Sequence, residues 1–185
     1  MRTARANAAR AVSCSLTLRS SPQMDIMEAN TRALQVTPHV CDSPTSSGYY
    51  DKCDGGGCGL KLHGVHPGSY GPNSSYTIDT SKPFTVRTEF ESDHNNGLQS
   101  VTTKVLQGDM QAPPLHNAVT ACGKYKLAAL GTALAQGMVV TLSYWGQSQA
   151  GGMSWLDIPP CPASSGCTAD GHSKAIFSNF AVDAL

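Results

Sequence analysis

Gln23-Met24-Asp25-Ile26-Met27-Glu28-Ala29-Asn30 places an amide and two carboxyl groups within six residues of an otherwise apolar run. On an extended strand side chains alternate between faces, so Gln23 and Asp25 share one side and Glu28 has the opposite parity. Glu28 joins them only if a bulge between Asp25 and Glu28 adds a residue and turns it round. With that bulge, the ends of Gln23 and Glu28 flank a gap of about 5 Å, the separation of the working pair in a retaining glycosidase. That chemistry needs one carboxylic acid of raised pKa and one ionised nucleophile. Glu28 qualifies as the proton donor. Gln23 does not qualify as the nucleophile, because an amide carries no negative charge. The pattern is that of a glycosidase site with one of its two working carboxylates replaced.

Working outward, the chain alternates like a β protein. Phe84, Val86, Thr88 and Phe90 share one face, with Thr85, Arg87, Glu89 and Glu91 on the other, and Val101, Thr103 and Val105 repeat the pattern. Met138 to Trp145 is a β-branched and aromatic run that reads as a strand with one face in the core, and Ala175 to Val182 reads as another. Leu127, Leu130 and Leu134 instead fall at helical intervals within Lys124 to Gln136, and Gly137 stops that helix. Many strands, long loops and a single short helix predict an all-β sandwich.

The 185 residues suffice for one domain with a real core. Formal net charge is zero and charged residues make up only 14%, so neither a basic stripe for nucleic acid nor an acidic disordered run is present. No apolar run reaches about 18 residues, the length a membrane helix requires. Residues 1–22 stand apart, with Arg2, Arg5, Arg10 and Arg19 and no acidic residue. They read as an atypical, unstructured leader; the composition also mimics an organelle transit peptide, but it lacks the apolar core of a secretory signal. Seven cysteines point to an oxidising compartment, and Asn73-Ser74-Ser75 is a glycosylation acceptor if the chain is secreted. Cys53, Cys58, His63 and His66 form a spacing that also lists four zinc ligands, although it matches no common finger.

Met24-Asp25-Ile26-Met27-Glu28-Ala29-Asn30 followed by Thr37-Pro38-His39-Val40-Cys41 resembles glycoside hydrolase family 7, the fungal endoglucanases and cellobiohydrolases. The signature of that family is Glu-X-Asp-X-X-Glu, usually with Trp before the second Glu, then Ala-Asn. Tyr70-Gly71-Pro72, the run from Ile78 to Val86, Gly137 to Trp145, Trp155-Leu156-Asp157 and Phe177-Ser178-Asn179 match further on and in order. The likeness runs from about Gln23 to Phe180, and residues 23–185 read as a partial catalytic domain, its C-terminal part. It implies a jelly roll of two curved antiparallel sheets with a substrate cleft on the concave face. The wording around Asp79-Thr80-Ser81-Lys82-Pro83-Phe84 looks more like an endoglucanase.

The resemblance implies roles for particular residues. Glu28 is the acid/base, Gln23 stands at the nucleophile position, and Asp25 is the partner of the nucleophile, expected here to accept a hydrogen bond from the Gln23 amide. Met27 replaces the usual aromatic. His39 matches a cleft histidine that bonds a sugar hydroxyl or orients Glu28, against the plainer reading of a loop histidine after Pro38. Trp145 and Trp155 match sugar-stacking aromatics, against the plainer reading of core tryptophans. Disulfides are implied between Cys41 and Cys53 and between Cys58 and Cys122, with Cys161 and Cys167 as a candidate short-loop pair and Cys14 left over. The implied reaction is hydrolysis of β-1,4-glucosidic bonds by retaining double displacement, with no metal and no organic cofactor, on a β-glucan polysaccharide or cello-oligosaccharide, by a secreted protein. Gln23 and the missing part of the domain keep two further readings open: a glucan-binding module without turnover, and a gene fragment whose open sheet edges need another chain to cover them.

Overall fold

The computed structural model describes residues 21–42, 44–93, 95, 97–118, 120, 122, 127–144, 153–163 and 175–178. The expectations for residues 1–20 of the leader, Cys14, Trp145 and Cys167 fall outside the described residues. The strand carrying the opening motif is β1 (Gln23–Ala29), which pairs antiparallel with β2 (Leu34–His39), and β2 pairs antiparallel with β3 (Leu60–Lys61). A single helical turn, α1 (Leu62–Val65), and a parallel pair, β4 (Tyr70–Gly71) and β5 (Ile78–Asp79), follow. The second main sheet is built on β6 (Thr85–Ser92) and the long β7 (Leu98–Gln107), with β8 (Met110–Gln111) and β9 (Leu115–Ala118) both pairing to β7. Two helices complete the described chain, α2 (Ala128–Gln136) and the one-turn α3 (Ser154–Asp157).

The two main sheets lie face to face because each has one apolar side. Ala29, Leu34 and Val36 from the first meet Phe84, Val105 and Leu115 from the second, with Leu62, Tyr70 and Ile78 filling the gap. A second cluster joins Val40 to Leu98, Val101, Leu127 and Leu130. The expected alternation holds in β7, where Val101, Thr103 and Val105 are all buried. The helix expected before Gly137 is α2; Gly137 ends it at φ +94° and donates its N–H to the carbonyl of Leu134 at 3.1 Å. Within α2, Gly131 lies against β7 so closely that a Cβ there would sit 2.7 Å from the Leu98 nitrogen.

Met138 to Ser143 forms no strand, contrary to the sequence expectation, and Val139, Val140 and Leu142 are exposed. Strand propensity reports how well a side chain fits a pleated, half-covered surface, and no described strand pairs with this segment to supply one. Ala175 to Ser178 is likewise not in a strand. Among the described residues β1 and β6 each pair along one edge only, and none of the described helices is long and apolar enough to cross a membrane.

Two disulfides close the loops around the first sheet, Cys41–Cys53 and Cys58–Cys122, as the resemblance implies. They occupy two of the four groups in the zinc alternative, so neither Cys53 nor Cys58 is a free thiolate. Cys161 is also disulfide-bonded. Cys58–Cys122 spans 64 residues of sequence, and closing a loop of that length restricts the unfolded chain. Replacing both of these cysteines by Ser should cost about 2–4 kcal/mol, read as a lower midpoint in denaturant melts; an unchanged midpoint would show that the bridge adds no stability.

Candidate active site

The ladder between β1 and β2 explains how the site forms. Asp25 stands opposite Thr37 and Glu28 opposite Gln35, so three steps on β1 match two on β2. Ile26 and Met27 together face Val36, and this is the bulge that the parity of the motif demands. Met27 packs against the core while Ile26 is 50% exposed. The extra residue brings Glu28 to the face already held by Gln23 and Asp25. On β2 the same face is made by Gln35, Thr37 and His39, the residues paired directly or diagonally with them.

Hydrogen bonds tie this face together. The Thr37 hydroxyl donates to Glu28 Oε2 at 2.6 Å, and Gln35 Nε2 donates to Thr37 Oγ1 at 3.0 Å. His39 Nε2 lies 3.1 Å from Asp25 Oδ2, and His39 Nδ1 lies 2.8 Å from the Asp54 carbonyl oxygen. A carbonyl only accepts, so Nδ1 carries a hydrogen; Nε2 faces a carboxylate, so it carries one too. The arrangement therefore favours the imidazolium. Burial alone would lower the pKa of His39, but the hydrogen bonds to Asp25 and to the Asp54 carbonyl, with the charges of Asp25 and Glu28, outweigh it and raise the value above the ordinary 6.5. The expected bond from the Gln23 amide to Asp25 is absent among the described residues. The diagonal neighbour His39 reaches the carboxylate instead, and it brings a charge that an amide lacks.

Glu28 is the perturbed acid of the site. Burial pushes its pKa up, the Thr37 hydrogen bond opposes this, the nearby Asp25 charge adds to it and His39 opposes it; the balance raises the group from 4.5 to about 7. Such a carboxyl holds its proton near neutral pH and releases it over a small change, which is what proton transfer requires.

Two glycines cover the β2 side of this face. A Cβ at Gly57 would stand 2.3 Å from Thr37 Cγ2 and 2.8 Å from His39 Cε1. One at Gly59 would stand 2.6 Å from Gln35 Nε2 and 2.9 Å from Thr37 Oγ1. Backbone passes where no side chain fits. The signal was the two-residue spacing of Gly57 and Gly59, which follows the spacing of Gln35, Thr37 and His39.

Asn30 was passed over as part of the motif only. Its Oδ1 accepts from the N–H groups of Arg32 and Ala33, which forms the turn from β1 to β2, and its Nδ2 donates to Asp157 Oδ1 at 2.8 Å. Asp157 is buried, and Lys61 Nζ donates to the neighbouring Ile158 carbonyl at 2.8 Å. These bonds fasten α3 to the sheet that carries the site. Met153 and Leu156 point into a small core with Ala33, whereas Trp155, on the same turn, is 36% exposed. Trp155 is therefore partly open to solvent. Asn73 lies in an exposed turn where its Oδ1 accepts from the Ser75 N–H. Among the described residues no cluster of His, Cys, Asp or Glu is arranged to hold a metal ion.

A sandwich with a bulged edge strand that sets a raised-pKa carboxyl beside a second carboxylate defines a glycosidase-like site. Known proteins agree. The profile of Glycosyl hydrolase family 7 matches residues 13–126. Endoglucanase 1 of Pyricularia oryzae is 33% identical over a region covering 85% of this chain and 46% of the relative. Endoglucanase EG-1 of Hypocrea jecorina is 35% identical, covering 85% of this chain and 36% of the relative. Among solved structures, the native endocellulase EGI of Humicola insolens superposes with a TM-score of 0.65 at 29% identity, covering 82% of this chain and 44% of that one. An endoglucanase I complexed with cellobiose gives a TM-score of 0.64 at 25% identity, covering 80% and 43%. The chain belongs to glycosyl hydrolase family 7, its fold is the family's jelly-roll β-sandwich, and it spans less than half the length of these relatives.

The pKa of Glu28 makes stability depend on pH. Because the folded value lies above the ordinary 4.5, the native state holds this proton more tightly than the unfolded chain does. Its contribution is complete below about pH 4.5 and is lost as pH rises to about 7. His39 adds stability that is present below 6.5 and is lost as pH rises through its raised folded value. Glu28→Gln should flatten the decline between about pH 4.5 and 7 and leave the later one, as measured by urea melts across pH. An unaltered slope would mean that Glu28 is solvated.

Proposed function

We propose that this site acts on β-1,4-linked glucans of the cellulose type. Glu28 is the proton donor and Asp25 a charged neighbour held by His39; Gln23, at the position of the nucleophile, limits turnover. The observation that carries the reading is the bulge between Asp25 and Glu28, which puts a carboxyl of raised pKa on the same face as Gln23 and Asp25. The endoglucanase relatives and the cellobiose complex of a similar structure support the substrate class. In a retaining double displacement the acid gives its proton to the glycosidic oxygen as the bond from that oxygen to the anomeric carbon breaks. A carboxylate on the other side of the sugar forms a new bond to the same carbon. The acid, now ionised, then takes a proton from the water that releases the sugar. A neutral amide at position 23 cannot supply the second group. Gln23 specifically favours a second reading, binding of glucan without turnover.

His39 acts here through Asp25, since both of its ring nitrogens are engaged within the protein. Trp145 and Trp155 remain the proposed stacking residues, Trp155 with the support of its exposure on a turn fastened beside the site. Secretion and glycosylation at Asn73 are the accompanying proposals, in keeping with the disulfides.

Gln23→Glu should raise reducing-sugar release from soluble cellulose, and Glu28→Gln in that background should remove about 10²–10⁴-fold of the rate. Binding to a cello-oligosaccharide without any gain on Gln23→Glu supports the module that binds only. Robust hydrolysis by the native chain, unchanged by the substitution, would remove Gln23 from the nucleophile position.

Trp155→Ala should weaken cello-oligosaccharide binding by about 1–3 kcal/mol with a small effect on melting. A large fall in melting temperature with unchanged affinity of the folded fraction would withdraw Trp155 from the site.

A further inference from the structure

Thr37 Oγ1 has one hydrogen to give and accepts through its lone pairs. It has two polar neighbours on the site face, Gln35 Nε2 at 3.0 Å and Glu28 Oε2 at 2.6 Å. The amide nitrogen can only donate. It therefore takes the accepting side of the hydroxyl and leaves the hydroxyl hydrogen directed at Glu28 Oε2. An oxygen that accepts this bond is the poorer place for the carboxyl's own proton. Glu28 Oε1 has no hydrogen-bond partner among the described residues. The pair has little room to rearrange, because the backbone at Gly59 comes close enough that a Cβ would meet both Gln35 Nε2 and Thr37 Oγ1 within 3 Å, and Thr37 is buried.

We infer that Gln35 is a positioning residue that acts through Thr37 to keep the proton of Glu28 on Oε1. This deepens the proposed role of Glu28 and rests on it only for its use in catalysis; the position of the proton is a property of the free protein. Gln35 stands opposite Glu28 in the ladder, but among the described residues no hydrogen bond joins their side chains, so its hydrogen-bonding effect on the carboxyl passes through one hydroxyl. The charged groups that face Glu28 are Asp25 from its own strand and His39 from β2. Lys61, opposite Gln35 on β3, gives its amine to the Ile158 carbonyl instead.

The test is a carbon-13 NMR titration of the full chain with labelled glutamate carboxyls, the Glu28 signal being assigned by its loss in Glu28→Gln. Thr37→Val should move the Glu28 midpoint up by about one pH unit or more, the size expected for one hydrogen bond to a charged group. Gln35→Leu should move it up by less, because the freed hydroxyl then spends part of its time turned away. Thr37→Ser should restore the native midpoint. The double variant should match Thr37→Val alone, since Gln35 makes no hydrogen bond of its own to Glu28. Thermal melts of each variant establish that the folded state is being read. A Gln35→Leu midpoint equal to the native one, or a Gln35→Leu shift that persists in the Thr37→Val background, overturns the inference. So does neutron diffraction, at a pH below the Glu28 midpoint, that finds the deuteron on Oε2. These readouts need no substrate, so they stand apart from the hydrolysis assays: restored hydrolysis with a wrong proton position defeats this inference alone, and a correct proton position without hydrolysis defeats the catalytic reading alone.

Discussion

One additional residue in β1 decides the arrangement of this molecule's polar face. Without it, Glu28 would project into the apolar layer between the sheets, among Leu34, Val36 and Leu115, and Met27 would project onto the polar face. A carboxyl placed there would have no donor to meet it, and burying an unpartnered polar group costs roughly 1–3 kcal/mol or more. The bulge avoids that cost and the hydrophobic pattern keeps the register, because a slip by one residue would turn every side chain of the strand over. The core and the site are thus two results of one irregularity. Met24, Met27 and Ala29 face inward as Gln23, Asp25 and Glu28 face outward.

On that face two carboxyl groups have unlike surroundings. Asp25 meets an imidazolium whose second nitrogen is held by a backbone carbonyl. Glu28 meets a hydroxyl and is largely withdrawn from water. A histidine beside one and burial around the other give two side chains three residues apart unlike electrostatic surroundings, and burial raises the pKa of Glu28 to about 7. The strand β2 is as important as β1 in this, since Thr37 and His39 supply every side-chain partner described for the two carboxyls and Gln35 donates to Thr37.

Much of this was legible in the sequence where the cause is local. Parity in Gln23-Met24-Asp25-Ile26-Met27-Glu28 required a bulge if the acids were to meet, and leucine spacing with Gly137 located α2. The family's cysteine pattern implied both described bridges. The parts that were not legible depend on contacts between distant segments. Asn30 and Asp157 are 127 residues apart, and nothing in either residue names the other. Asp25 was expected to meet the Gln23 amide, and the diagonal geometry of the antiparallel ladder brings His39 to it instead. Met138 to Ser143 has strand-forming residues yet lies outside every described strand, since β-forming composition alone does not supply a ladder.

The glycine-rich stretch from Gly55 to Gly59 has a thermodynamic consequence. Glycine loses more backbone freedom on folding than any other residue, so a run of such residues lying over the polar face should be an expensive way to cover it. Here Cys53 precedes the stretch and Cys58 lies within it, each joined to a different part of the chain. Those bridges close residues 41–53 and 58–122, so they restrict the unfolded chain on either side of Gly55, Gly56 and Gly57 and leave the freedom of these glycines to be lost on folding. Oxidation of the chain, far from the acids in chemical character, thus stabilises the neighbouring loops and offsets the entropy that a side-chain-free cover over the acids costs.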